Sequence, residues 1–466
     1  MGTTPVTIFT PEGGKPAPAV VIAHGFAGSQ QLMLPFAVTL ARNGYTAVTF
    51  DFPGHGRNPQ PLLGGLADDD ARNRTLIDSL GDIVAFARHL PNADGQVALL
   101  GHSMASDTVV RYAAAHPDID ATVAVSLFSP GDLSKPVRNL LVIDGALEPQ
   151  MLIDDAYRVV GGGAAVQPRT TYGDFTAGTA RRLSLSGGVE HIAVLYSAQS
   201  MREALDWLNT AFGRTGSGYI DARGPWLGIL YLGLVALAWP LSKLLPQVSP
   251  IKTGAGPRWL RLLAIAIAPA ILTPLILWRL PTDFLPILLG DYLAVHFAVY
   301  GLLTAAGLYL TGWRPPPIKL STANLAIATL AVAAYSIFAI GLPVDRFITS
   351  FMPIPSRIPL ILAMLIGTIP YFLADEYLTR GPQAPMLGYT LTKLLFLVSL
   401  ILAVTLNLQR LFFLIIIVPV ILIFFLVYGL FSTWTYRRTN SPIPGALANA
   451  FAFAWAIAVT FPVIGG

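Results

Sequence analysis

The chain has no cysteine and few charged residues. The absence of cysteine among 466 residues excludes disulfides, a thiolate nucleophile and cysteine metal ligands. Asp, Glu, Lys and Arg make up only 12% of the chain, whereas an ordinary soluble domain has about 25%. The net charge is +4, and no Lys/Arg run interleaved with aromatic residues indicates nucleic-acid binding. The first residues, MGTTPVTIFTPEGG, also lack the apolar stretch of a secretory signal.

Composition changes near residue 215 and divides the chain into two halves. Charged residues are frequent before this point, and long apolar stretches follow it. The sequence between the halves, AFGRTGSGYIDARGP, is rich in Gly and small polar residues, which is typical of a linker. We therefore predict a first domain over 1–212, a linker over 213–224 and a membrane domain over 225–466.

The second half has about eight stretches long enough to span a bilayer, which requires roughly 20 mostly apolar residues each. A stretch such as LFFLIIIVPVILIFFLVYGLF has no polar face, so it does not fit a helix of a soluble core. The predicted spans are 225–245, 258–280, 285–312, 322–343, 356–376, 387–407, 410–433 and 445–464. They predict an all-α, multi-pass integral membrane protein of the cell inner membrane.

The Lys and Arg residues between these spans predict the orientation, because cytoplasmic loops are enriched in them. With eight spans, one side carries Lys243, Lys252, Arg258, Arg261, Arg314, Lys319, Arg380, Arg437 and Arg438. The other side carries Arg223, Arg279, Arg346, Arg357 and Arg410. We therefore expect the first half to be extracytoplasmic. This expectation conflicts with the missing export signal, so either an anchor precedes this chain or the number of spans is odd.

The first half alternates short apolar runs with helical patterns over residues 6–212. Runs such as APAVVIAHG, YTAVTFDFPG and NLLVIDG read as strands, and stretches such as ASDTVVRYAAAH read as helices. Near-continuous apolar strands with helices between them predict a mainly parallel sheet covered on both faces, which is an α/β fold.

A nucleophile-elbow pattern, GHSMA, follows the run VALL. A sharp turn from strand to helix requires small residues at 101 and 105, and it exposes the hydroxyl of Ser103 above the sheet. The alternative is that Ser103 only caps a helix. The strand before it and the helix after it favour the nucleophile.

A serine nucleophile needs a base and an acid, and chain order restricts both. His191 follows the last predicted strand, and a chain order of Ser, acid, His requires the base there. The acid belongs after the preceding strand, where NLLVIDGALEPQ contains Glu148 and Asp144. We favour Glu148, with Asp144 as the alternative acid and Asp132 or Asp174 as weaker candidates.

The oxyanion hole needs two N–H donors. Met104, directly after the predicted nucleophile, supplies one backbone N–H. The sequence IAHGFAGS follows an early strand, and its HG turn leads to Phe26, whose N–H is the predicted second donor.

In chain order, the motifs AHGFAGS, DFPGHG, GHSMA, GALEP and EHIAVLYS resemble the α/β-hydrolase superfamily over about residues 5–212. The resemblance implies Ser103 as nucleophile, His191 as base, Glu148 as acid, and Phe26 and Met104 as oxyanion donors. This sequence departs from the pattern at Ala105, in having Glu as the acid, and in the short link SPGDLSKPVRN, which leaves no room for the usual cap. An open site is therefore expected, with 150–182 as a candidate partial cover.

The membrane half matches no transporter, protease or acyltransferase motif. The stretch GTIPYFLADEYLTRG places Asp375 and Glu376 near the end of a span, where two interpretations are open. They form an interfacial pair, with Arg380 as a partner, or they form a polar site in the membrane.

Together these patterns predict a membrane-anchored, esterase- or lipase-like serine hydrolase of carboxylic esters. Membrane lipids and a small-molecule or lipid ester are the expected partners, with no nucleic acid, cofactor or metal. An acyltransferase with a membrane-held acceptor is one alternative. A second is a transporter-like protein with a regulatory hydrolase-fold module, and a third is a peptidase.

Overall fold

The chain folds into two compact units. The structure, a computed structural model, describes residues 2–65, 68–129, 136–314 and 319–465. The first unit comprises Met1–Gly228 together with Val344–Ser350 and Pro462–Gly466, and the second comprises Ile229–Pro343 and Phe351–Phe461. Two short segments from late in the chain therefore belong to the first unit. The predicted boundaries at 212 and 225 remain a prediction.

The first unit is built on a seven-stranded sheet in the order β1-β3-β2-β5-β6-β7-β8. Only β1 is antiparallel to its neighbour, and the other pairs are parallel. The strands are β1 Val6–Phe9, β2 Ala17–Ala23, β3 Thr46–Phe50, β5 Ala93–His102, β6 Ala121–Val125, β7 Leu140–Gly145 and β8 Arg181–Ser186, with β4 Leu62–Leu63 paired separately with β9 Ile464–Gly465. This arrangement confirms the predicted mainly parallel sheet.

Helices cover both faces of this sheet. The helices are α1 Leu34–Arg42, α2 Asp69–Arg88, α3 Met104–Ala115, α4 Gln150–Gly161 and α5 Ala198–Ala211. One apolar core joins the sheet to α2, α3 and α4, and the other joins it to α1 and α5. Strands β2, β3, β6 and β7 are buried along their whole length, which explains their continuous apolar sequences.

Helix α4 corrects the expectation that 150–182 covers the site. Its buried residues Leu152, Ala156 and Val160 recur every four positions, so they form one face of a helix. Ala156 and Val160 join the core beneath the sheet. The first part of this segment therefore belongs to the layer of helices that supports the fold.

The second unit is all-helical. Eight helices in the described parts of the chain are long and apolar enough to cross a membrane, which confirms the predicted number. Their bounds are Gly224–Ser242, Trp259–Leu277, Gly290–Leu310, Thr322–Phe347, Pro355–Thr379, Gly388–Leu406, Leu414–Thr439 and Ile443–Thr460. The helix predicted to begin at residue 285 begins at Gly290. The helical conformation breaks after Leu411, so the helix predicted over 410–433 begins at Leu414 and continues to Thr439.

Small residues let the central helices of this unit approach closely. Gly367 lies against the backbone of Ala294, and Gly301 lies against the backbone of Tyr371. A side chain at either glycine would overlap the facing helix. Close backbone approach through small residues is the usual way in which helices associate in a membrane.

Candidate active site

Ser103 stands on a sharp turn between strand β5 and helix α3. The strand ends at His102, the helix begins at Met104, and Ser103 between them has φ +53° and ψ −117°. This conformation is strained for a residue with a side chain, and such strain is concentrated at functional sites. Gly101 lies against the backbone of Ala105, so a side chain at 101 would not fit. The close approach of the chain at this turn thus explains why residues 101 and 105 of GHSMA are small, as the sequence pattern predicted.

Ser103, His191 and Glu148 form one hydrogen-bonded line. Ser103 Oγ lies 2.8 Å from His191 Nε2, and His191 Nδ1 lies 2.9 Å from Glu148 Oε2. The serine is 8% exposed, the histidine side chain is 13% exposed and the glutamate side chain is fully buried. A hydroxyl, an imidazole and a carboxylate in this order can transfer the serine proton and stabilise the imidazolium that results.

Glu148 is held in its ionised form by its hydrogen bonds. Its Oε1 accepts from Ser126 Oγ at 2.6 Å and from the Gly145 backbone N–H at 2.8 Å. Burial alone would raise the pKa of Glu148, but hydrogen bonds from His191, Ser126 and Gly145 bring this pKa below its usual value. The carboxylate can therefore remain charged next to His191.

Ser126 is a residue of this site that sequence reasoning missed. It follows β6 with φ +53°, and its hydroxyl donates to Glu148. Its position directly after a buried strand was the available signal, because the carboxyl ends of parallel strands share one edge of a sheet.

Asp144, the alternative acid, does not contact His191 by any hydrogen bond in the described structure. Its Oδ1 accepts from the Leu127 backbone N–H at 3.0 Å, and its Oδ2 is buried with no hydrogen-bond partner among the residues that the structure describes. Burial and the nearby Glu148 carboxylate raise the pKa of Asp144 well above its usual range. Among the weaker candidates, Asp174 caps an exposed turn, and Asp132 lies outside the described residues.

His102 supports the loop that carries His191. Its Nε2 lies 2.9 Å from the His191 carbonyl oxygen, and its Nδ1 is buried with no hydrogen-bond partner in the described part of the chain. Burial lowers the pKa of His102 to about 3, so the ring is neutral and its Nε2–H donates to that carbonyl. Sequence analysis assigned it no role in the site, since the elbow pattern specifies only small neighbours at 101 and 105.

The loop that carries Phe26 lies directly beside Ser103. A Cβ added to Gly25 would lie 3.0 Å from Ser103 Cβ and 2.9 Å from His102 Nδ1, so only glycine fits there. The Gly28 N–H donates to the Gly25 carbonyl at 3.1 Å and closes a tight turn around Phe26. Met104 begins helix α3 directly after the serine. Both predicted oxyanion donors thus belong to backbone next to Ser103.

Asp375 and Glu376 lie inside the second unit rather than at its surface. Asp375 forms an ion pair with Lys393, and Glu376 forms one with Arg380 at 2.8 Å. Ser432 donates to Glu376 at 2.7 Å, and all four charged side chains are at most 11% exposed. The predicted partnership of Glu376 with Arg380 is present, and Lys393 is the partner that sequence analysis did not assign. No group of three or more metal-ligating side chains occurs in the residues that the structure describes.

A family description, the alpha/beta hydrolase fold, matches residues 18–186. This range contains β2 to β8, the elbow and Glu148, and His191 follows five residues after it. The first unit contains an α/β-hydrolase domain. The resemblance in the sequence and the fold are thereby confirmed.

Two curated relatives are similar to the hydrolase domain. The 2-(acetamidomethylene)succinate hydrolase of Mesorhizobium japonicum is 29% identical over 27% of this chain and 40% of its own length. Esterase YjfP of Escherichia coli is 29% identical over 29% of this chain and 55% of its own length. A crystal structure of a predicted CIB-like hydrolase from Thermoplasma acidophilum, 16% identical, covers 44% of this chain and 93% of its own, with a TM-score of 0.33. The chain thus spans about half the length of these curated relatives.

Proposed function

We propose that the chain is a membrane-anchored serine hydrolase that cleaves carboxylic esters. The observation that carries the proposal is the hydrogen-bonded line from Ser103 Oγ through His191 to Glu148. The strained serine on an elbow between strand and helix, the buried carboxylate and the glycine-bearing turn beside the serine support it. The relative named as an esterase supports an ester as the substrate class.

The reaction begins with attack of Ser103 Oγ on the ester carbonyl carbon while His191 Nε2 takes the serine proton. Glu148 stabilises the imidazolium through Nδ1, and the N–H groups of Phe26 and Met104 stabilise the oxyanion. The C–O bond to the leaving alcohol then breaks, and His191 returns the proton to that alcohol. Water attacks the acyl-enzyme with His191 as base, which releases the carboxylic acid and restores Ser103.

The membrane-spanning helices favour a substrate at the membrane, such as a lipid ester. Eight apolar helices are compatible with a multi-pass protein, and such a domain would anchor the hydrolase domain to the bilayer. A chain-length series of esters tests this preference. Faster turnover of long-chain esters in mixed micelles than of soluble short-chain esters supports a lipid substrate, and the reverse order contradicts it.

The first test is labelling of the purified full chain in detergent with a fluorophosphonate, which reacts with activated serines. The wild type is expected to be labelled, and Ser103→Ala and His191→Ala are expected to lose the label. Ser200→Ala is the matched control, because Ser200 is buried and its hydroxyl bonds to Ser186, which is not one of the three residues of the proposed triad. A folded but unlabelled wild type would contradict the proposal. Turnover that requires an added alcohol acceptor would instead indicate an acyltransferase.

We also propose that the protein lies in the inner membrane with its hydrolase domain outside the cytoplasm, as the Lys/Arg distribution predicts. The absence of cysteine makes this testable with single introduced cysteines. Lys15 in the first half and Lys252 between two spans are both exposed. In intact spheroplasts, a membrane-impermeant maleimide is expected to label Lys15→Cys and to label Lys252→Cys only after lysis. The opposite pattern would reverse the orientation.

A further inference from the structure

The 24–31 loop, which carries the predicted oxyanion donor Phe26, has a strained backbone. Ala27 has φ +54°, a left-handed conformation that is unfavourable for residues with a side chain. Strained backbone persists only where surrounding groups fix it. The contacts that fix this loop therefore determine whether the Phe26 N–H stays next to Ser103.

Two of these contacts come from the residues that directly follow strand β3. His24 Nε2 accepts from the Phe52 backbone N–H at 3.1 Å. Asp51, fully buried, accepts from the Gln30 backbone N–H at 2.8 Å. These contacts hold the two ends of the loop. Ser29, between them, is held by a different segment.

That segment is Val344–Ser350, more than 300 residues later in the chain and part of the same unit. The Ser350 backbone N–H donates to Ser29 Oγ at 2.8 Å, and Thr349 Oγ1 lies 3.0 Å from the same oxygen. Ser29 Oγ in turn donates to Gln31 Oε1 at 2.8 Å, and Ser350 Oγ donates to that oxygen at 3.2 Å. Ser29 and Ser350 are both buried, so the bond from the Ser350 N–H to Ser29 Oγ is shielded from water.

The segment is itself firmly attached to the first unit. Ile348 packs against the core that includes α1 and α5. Tyr196 Oη donates to the Phe347 carbonyl at 3.4 Å, and Asp345 pairs with Arg57 at 2.6 Å. Arg57 follows β3 and Tyr196 follows His191, so the segment touches loops on several sides of the candidate site.

We propose that Val344–Ser350 is a positioning element of the active site, which holds the 24–31 loop through Ser29 so that Phe26 faces the developing oxyanion. This inference rests on the proposed function for its chemical consequence. The segment joins two predicted spans, so part of the sequence outside the hydrolase family match is required for full activity. A displaced oxyanion donor lowers the rate of acylation without removing the nucleophile.

The test uses the full chain in detergent with Ser29→Ala and with the double change Thr349→Val and Ser350→Ala. Ser29→Ala is expected to reduce kcat for p-nitrophenyl butyrate, and the rate constant for fluorophosphonate labelling, about tenfold, since loss of a whole oxyanion donor costs roughly 10²–10³ in kcat. KM should change by less than about twofold, because the donor acts in the transition state. The double change should have a smaller effect, because the Ser350 N–H remains.

Two further measurements separate positioning from a general loss of stability. Ser200→Ala, which removes an equally buried hydroxyl bonded to Ser186, should leave kcat and labelling unchanged. Thr349 and Ser350 are proposed to act through the same atom, Ser29 Oγ. In a chain that already carries Ser29→Ala, the double change Thr349→Val and Ser350→Ala should therefore lower kcat little further. Full additivity, or a wild-type labelling rate in Ser29→Ala, would overturn the inference.

Amide hydrogen exchange tests whether the segment fixes the 24–31 loop without relying on catalytic activity. The backbone amides of residues 25–28 should exchange faster in Ser29→Ala than in the wild type and should be unaffected in Ser200→Ala. If the wild type is never labelled by the fluorophosphonate, the proposed function fails, and exchange still decides whether the segment fixes the loop. Unchanged exchange at these amides would overturn the proposal.

Discussion

Glu148 and Asp144 in the first unit have partners of a different kind from those of Asp375 and Glu376 in the second. In the first unit, Glu148 accepts hydrogen bonds from neutral donors and faces His191, and Asp144 accepts one from the Leu127 backbone N–H. In the second unit, Asp375 and Glu376 each pair with a buried cation. Neutral donors leave a carboxylate free to stabilise a charge that forms on His191 during a reaction. The ion pairs of the second unit cancel charge where water is excluded, which favours helix association.

Apolar side chains are also distributed differently. Among the described residues, Ile8, Leu63, Leu147, Met151 and Tyr219 are the large hydrophobic residues exposed before residue 224, whereas dozens are exposed after it. On the helix Gly224–Ser242, Trp226 and Leu232 are more than 70% exposed. A surface of this kind is stable in lipid, whereas the described surface of the first unit exposes few large apolar side chains.

The largest expected effect tests the role of the Glu148 carboxylate. Glu148→Gln keeps the shape of the side chain and removes the charge that orients His191, so kcat for p-nitrophenyl butyrate should fall about 10⁴-fold. Asp144→Asn, the matched change at the other buried acid, should retain activity within about tenfold, since a change of one unit in the pKa of a neighbouring group amounts to about 1.4 kcal/mol. Steady-state kinetics of both variants check this. The reverse result would assign the acid to Asp144.

The next largest effect is expected on stability, and it tests whether Lys393 and Asp375 in the second unit stabilise each other's charge. Lys393→Met leaves Asp375 buried without its cation, which should cost about 3–5 kcal/mol of stability. The double change Lys393→Met with Asp375→Asn removes both charges and should recover most of that loss. Thermal unfolding in detergent, followed by helical circular dichroism, measures it. A double variant as unstable as the single one would mean that the charges do not act as a pair.

A smaller effect on stability is expected from Leu→Ala substitutions, which are compared at one position in each unit. Leu100→Ala removes a fully buried side chain in β5 and should cost about 2–5 kcal/mol. Leu232→Ala truncates a side chain that is 72% exposed, and it should change stability by less than about 0.5 kcal/mol. Unfolding of both variants in the same detergent is the measurement. A large loss for Leu232→Ala would show that another part of the protein covers this face.

Short sequence motifs predicted those features of the site that depend only on neighbouring residues in the chain. The strand-turn-helix around Ser103, the order of acid and base, and the eight apolar helices each follow from a short stretch of sequence. Helix α4 was missed although Leu152, Ala156 and Val160 have helical spacing, because the segment was interpreted as a cover.

Contacts between distant segments could not be predicted in this way. Ser126 reaches Glu148, and Ser350 reaches Ser29, only because the tertiary fold brings their loops together. The pairing of Leu62 with Ile464 is of the same kind, since a two-residue strand has no pattern of its own. A single sequence does not specify which of its many short polar segments will form hydrogen bonds with each other in the folded chain.

The smallest effect concerns pH and the unpaired carboxyl of Asp144. Because burial raises the pKa of Asp144 in the folded state, the unfolded chain ionises first as pH rises above about 4, and this residue then makes folding less favourable. Asn does not ionise and keeps the acceptor for the Leu127 N–H. The melting temperature of Asp144→Asn relative to wild type should therefore increase between pH 5 and pH 8, whereas the exposed control Asp94→Asn should show no such trend. A relative stability that falls with pH would mean that Asp144 is ionised and stabilised in the fold, and the contrast with the cation-paired acids of the second unit would then no longer hold.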